Sequence, residues 1–117
     1  MEKREVKEAK SANQVCWLGS IDGFAALVKE ACEQAVELAS EAERDLVRDS
    51  RGVARALTGD GAGAAEDFGA FVEFLKQLPN LSDDFQAMLR RREGWIAALK
   101  SGHDPFHAQS LKELRSE

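Results

Sequence analysis

His103 and His107 stand four residues apart, and an H-x-x-x-H pair on one helical face can hold a metal ion. Pro105 lies between them and fixes a helix start, which puts His103 ahead of the first turn with Asp104 as the nearest carboxylate. The pair reads better as surface or capping histidines; His103 and His107 are the metal candidates if there are any, and no cofactor is expected. Di-iron bundles need Glu-x-x-His pairs on two helices, and the chain has none.

Nucleophilic chemistry fares no better. Neither histidine has a recognisable nucleophile beside it, so no catalytic residue is nominated and an enzyme is the less favoured reading. Cys16 and Cys32 are the two cysteines of the chain. They are too few for a disulfide framework and lack companions for a zinc site, so they are expected to be buried, reduced thiols of a cytoplasmic protein. Residues 58–63, TGDGAG, precede a helix, but no strand leads in and no Lys-Ser or Lys-Thr follows. Dinucleotide and P-loop patterns both fail there, leaving a flexible connector.

Arg90, Arg91 and Arg92, with Trp95 close behind, form the one basic cluster that includes an aromatic. On a helix the three arginines fan around the circumference rather than making a patch. Arg92 falls on the apolar stripe and is expected to pair with an acid at its edge; Arg90 and Arg91 are the residues that could meet nucleic-acid phosphates. A net charge of -5 opposes non-specific binding to nucleic acid or anionic membranes. Thirteen acids against six bases in residues 11–83 place that acidity in the central helices.

These side chains need helices to hold them. At 117 residues, with 44% hydrophobic and 32% charged residues, the chain is expected to be one globular domain, 1–117, with residues 1–10 frayed. The charged N-terminus has no apolar signal core, and no run approaches a membrane span. A first helix over 2–18 should be ordered from Ser11, stop at Gly19 and hand over to a second helix capped by Ser20.

From Ile21 to Leu57, apolar residues recur every three or four positions, the periodicity of one long central helix over about 20–57. The pattern slips after Ala42, and Gly52, preceded by Ser50, marks the expected kink near 50–52. Straight, this stretch would measure about 55 Å at about 1.5 Å per residue, longer than a domain of this size is wide. It must break or be covered by another chain.

Its outer face carries Glu30, Glu33, Glu37 and Glu41 in the first half and Arg44, Arg48, Arg51 and Arg55 in the second. Acid early and base late complements the helix dipole. The same order would also pair two copies antiparallel, so Glu33, Glu37, Glu41, Arg44, Arg48, Arg51 and Arg55, with Phe74 of the next helix, are the interface candidates. Ala64–Leu78 reads as a third helix with a wide apolar arc, ended by Pro79. A fourth, capped by Ser82 and closed by Gly102, carries Trp95; a fifth starts at Asp104-Pro105.

The expectation is an all-α, single-domain bundle of four to five helices that works without catalysis. Its role would be association, as a homo-oligomer or a small subunit of a larger complex. The alternatives are a small nucleic-acid-associated protein using Arg90 and Arg91, and a ligand-binding or enzymatic bundle.

Overall fold

A computed structural model describes residues 3–117, with side chains from Lys10 onward apart from positions 108 and 109. Among the described residues the fold is all α: α1 (Lys3–Gly19), α2 (Lys29–Leu38), α3 (Glu41–Leu57), α4 (Gly61–Lys76), α5 (Asp83–Lys100) and α6 (Ala108–Arg115). None of these helices is long and apolar enough to cross a membrane. Successive helices pack on one another from α1 to α5, and α1 also reaches α3. α1 is helical from Lys3, and residues 1 and 2 lie outside the described range.

The 20–57 stretch is not one helix. It breaks twice, and neither break is near 50–52. The first is at Gly23, where φ of 95° ends a π-helical turn, Ser20–Phe24, that continues directly from α1. An L-residue rarely holds that backbone conformation, and glycine holds it without penalty. The stop expected at Gly19 is absent, since Gly19 is itself helical. Its lack of a side chain serves packing instead: a Cβ there would lie 2.6 Å from Val28.

The second break is at Ala39 and Ser40, both extended, with Glu41 and Glu43 opening the next helix. Ser40 makes no side-chain cap hydrogen bond, but the two acids in the first turn complement the dipole of a new helix. The breaks fold a length that would overhang into a body of 40 × 36 × 24 Å.

α3 runs unbroken through Gly52. This glycine is a crossing point: a Cβ would come within 2.7 Å of the Phe68 ring and 3.2 Å of Asp67 on α4. Its place in mid-helix costs about 1 kcal/mol of propensity, which the close approach of two helices offsets.

The main core lies under that crossing. Phe68, Trp95 and Phe106 meet edge to face or tilted, with ring centroids 4.9–6.3 Å apart, surrounded by Ile21, Val53, Ala64 and Leu114. A thinner layer of small residues joins α1 to α2 and α3: Ala12 meets Ala35, Ala39 and Val47, and Cys16 meets Ala25, Cys32 and Ala54. Cys16 and Cys32 are joined in a disulfide, not left as the reduced thiols expected, and both are fully buried. The turn at Gly23 makes α1 and α2 an antiparallel pair and brings the two Cα atoms within 4.8 Å.

Two more boundaries move. α4 begins at Gly61, capped by the Asp60 side chain accepting from Gly63 N–H, so the connector is shorter than TGDGAG. α6 begins at Ala108 rather than Pro105, because Asp104 accepts from Phe106 N–H in a local turn and Ser110 accepts from His107 N–H. Ser82 caps α5 as expected, accepting from Phe85 N–H, and Gly102 follows it with φ of 79°.

Gly52→Ala should lower unfolding free energy by about 1–3 kcal/mol through overpacking against Phe68, despite alanine's better helix propensity. Gly69→Ala, where a Cβ meets nothing within 4 Å, should be neutral or stabilising. Urea titrations of the two variants check the contrast.

Candidate functional site

Arg92, on the inner face of α5, has no exposed surface. Its guanidinium forks onto Asp49 of α3, with Nε 3.0 Å from Oδ1 and Nη2 2.6 Å from Oδ2. Nη1 and Nη2 also donate to the two carboxylate oxygens of Glu117, each at 2.7 Å. Phe71 and Trp95 flank the cation, with ring centroids 5.3 and 4.5 Å from its central carbon. Glu117 keeps only 7% of its side chain exposed and is also held by Arg91.

Burial disfavours charge on both principal partners. It would lower the Arg92 guanidinium, but the hydrogen bonds and charges of Asp49 and Glu117 outweigh it and push it up. Burial raises the Asp49 carboxyl, and the pull of Arg92 only partly reverses that. Two carboxylates on one buried guanidinium, with Arg91 at the edge, make a nearly saturated ion cluster. Its donors are spent on the protein itself.

A second cluster ties α2, α3 and α4 together. Asp67 has no exposed surface and accepts from Arg48 Nε at 2.9 Å, Arg51 Nε and Nη2 at 2.9 and 2.8 Å, and Arg55 Nη1 at 3.2 Å. Arg51 and Arg55 also reach Glu33 on α2, at 3.1 and 3.3 Å. The Arg51 guanidinium is pushed up, chiefly by its hydrogen bonds to Asp67, against the opposing effect of burial.

Beside the Arg92 cluster lies a groove of about 380 Å³. Trp17 and Leu18 of α1 form one wall and Phe85 and Met88 of α5 the other, with Leu46 of α3 at the rim and Phe71 and Arg92 at the base. Leu18 is 54% exposed, and Leu46 and Phe85 are each 40% exposed. Asn13 lines the same groove and buries a side-chain oxygen that has no hydrogen-bond partner among the described residues. No known protein family, curated protein or solved structure matches this chain. Its site has to be read from its own geometry.

The residues nominated from sequence are dispersed. Glu33, Arg48, Arg51 and Arg55 meet within the chain, around Asp67. Arg44 donates to Ala39 O at 3.3 Å and so serves the carbonyl left over at the end of α2. Glu37 and Glu41 are exposed and Phe74 is half-buried; none of these eight lines the groove. Arg90 is exposed, while Arg91 is engaged by Glu117.

His103 and His107 are both exposed, and among the described residues no group of three His, Cys, Asp or Glu side chains is placed to hold a metal. Asp49, Asp67, Glu117 and the groove itself were missed. The available signal was the gap in the apolar stripe of α3: between Val47 and Val53 its inner face is filled by buried Asp49 and Ser50.

Arg92→Met should cost about 3–5 kcal/mol, since it strands buried carboxylates without their counter-ion. Adding Asp49→Leu should restore a good part of that loss. A double-mutant cycle by chemical denaturation measures the coupling, and additive losses would contradict the cluster as described.

Proposed function

We propose that the protein acts by association rather than catalysis, as a helical module whose groove between α1 and α5 is covered by a second copy of the chain. The observation that carries this reading is the convergence of Leu18, Leu46 and Phe85, from three helices, around one apolar depression. Apolar groups gathered at a rim resist water collectively, and such patches on soluble proteins mark sites of contact.

A second copy is favoured because the chain also supplies the other half of such a contact. Leu27, 80% exposed, and Phe24 stand out from the turn between α1 and α2 and would bury apolar surface on docking. The charged stripe of α3, whose arginines are largely satisfied inside the chain, has less to offer a partner than these apolar groups.

One observation favours a second reading, in which the groove takes a small ligand. The unpartnered Asn13 oxygen would accept a hydrogen bond from an apolar molecule bearing a donor, and the volume falls within the range of ligand sites. The buried carboxylates are committed to Arg92, so nothing in the groove is free for acid–base work. Nucleic-acid contact has less support, with Arg90 left as the free member of the arginine run.

Sedimentation velocity from low to high micromolar concentration tests the reading. The wild type should form dimers or larger species, while Leu46→Glu and Phe85→Glu should remain monomeric with unchanged helicity. A wild type that stays monomeric throughout the range would overturn it.

A further inference from the structure

We infer that the Cys16–Cys32 disulfide is a thiol-responsive latch on the α1 wall of the groove, so that reduction weakens association while the rest of the bundle stays folded. The inference rests on the reading of that groove as the association surface. The π-helical turn that continues α1 anchors its end in the main core through Ile21, and among the described residues the rest of the helix buries small side chains. Between Lys10 and Gly19 the buried side chains of α1 are Ala12 and Cys16, with Trp17 packed against the edge of the core. The larger apolar residues Val15 and Leu18 face outward, 50% and 54% exposed.

An alanine and a half-cystine remove little apolar area from water, so apolar burial holds the 10–19 stretch weakly. Large buried side chains hold α3, α4 and α5 instead: Val53, Phe68, Phe71, Leu75 and Trp95, together with the Arg92 cluster. The covalent bond spans 16 residues of sequence and restricts the unfolded chain by closing that loop. The bond therefore bears on the 10–19 stretch, where the buried side chains are small, more than on the aromatic core.

Cut the bond, and the groove loses a firm wall. Asn13, Gln14, Trp17 and Leu18 all belong to α1, and all line the groove. The opening lies within the low-stability end of local unfolding, which exposes one element without global unfolding.

The chemistry is ordinary exchange with a dithiol reductant. Cys32 lines a cavity of about 150 Å³ walled by Lys29, Glu33, Arg51, Arg55 and Asp60, whereas Cys16 sits among Ala25 and Ala54. Both half-cystines are buried, so attack waits on local opening of the α1–α2 contact, and Cys32 Sγ, on the cavity side, is then met first. The attacking thiolate bonds to that sulfur, the S–S bond breaks, and Cys16 leaves as a thiolate that takes up a proton. The second thiol of the reductant then attacks the mixed disulfide and releases Cys32, while the reductant becomes a disulfide. Two electrons pass from the dithiol to the cystine.

Two measurements on the full chain, with and without dithiothreitol, test this. Amide hydrogen exchange should speed up at least tenfold across residues 10–19 on reduction, with α4 and α5 unchanged. Sedimentation should show self-association at least tenfold weaker. The Cys16→Ala, Cys32→Ala variant should match the reduced protein without reductant.

If the oxidised protein does not associate at all, the association reading fails, and the exchange data still decide whether the latch exists. Unchanged exchange in α1 would overturn the latch, and so would loss of protection throughout the bundle, which would make the bond a staple of the whole fold. Faster exchange in α1 with undiminished association would overturn the control of the groove.

Discussion

A guanidinium taken wholly out of water must be repaid by its surroundings, and the surroundings of Arg92 come from several parts of the chain. Asp49 brings α3, Phe71 brings α4, Trp95 comes from its own helix, and Glu117 draws in the segment after α6. None of these elements can shift far without leaving a charge unpaired in a medium that solvates it poorly. An ion cluster of this kind adds little net stability compared with apolar packing. Its contribution is to the arrangement, since it penalises alternatives in which three helices meet in another register. The groove takes its shape from this arrangement, because Arg92 and Phe71 form its base.

Asp67 imposes a related constraint at the α3–α4 crossing. Three arginines of α3 converge on one carboxylate, and two of them extend to Glu33 on α2. Such convergence requires α3 and α4 to lie close, and Gly52 permits it by offering no side chain to the Phe68 ring. Charge and packing thus act at the same crossing. The disulfide adds a covalent tie where side chains are smallest, in the alanine-rich contact between α1 and α2. Disulfides inside reducing compartments are chiefly transient or sensing, so this bond removes the support that reduced thiols would have lent to a cytoplasmic location.

Much of the architecture was legible in the sequence because helical periodicity, Ser82, Gly102 and the burial of Arg92 all follow from local chemistry. The long central stretch was harder. Its inner positions stay apolar across both breaks, so periodicity alone sees one helix, while Gly23 and the Ser40–Glu43 spacing carried the contrary signal. Gly52 misled for a different reason: propensity treats glycine as a weak point, whereas here it serves a neighbour in space.

The disulfide was set aside on cysteine count, and the expected turn gave no reason to look again. With a turn at residues 19 and 20, Cys16 and Cys32 lie at unequal distances from it; with the turn centred on Phe24, each lies eight residues away and the two face one another. The groove left no local trace at all, because its residues come from segments far apart in the chain.

The span of the Arg92–Asp49 pair, 43 residues, has a consequence for the order of folding. Most helix contacts join neighbours in sequence, so hairpins such as α1–α2 and α4–α5 close short loops at low entropic cost. The guanidinium can leave water only when α3 and α5 are both seated on α4 and its carboxylates are in reach. Its dehydration therefore belongs to the last part of assembly, after the hairpins exist. Interactions made that late act mainly as a brake on unfolding rather than as a spur to folding. The ion cluster governs how long the native state persists more than how quickly it is reached.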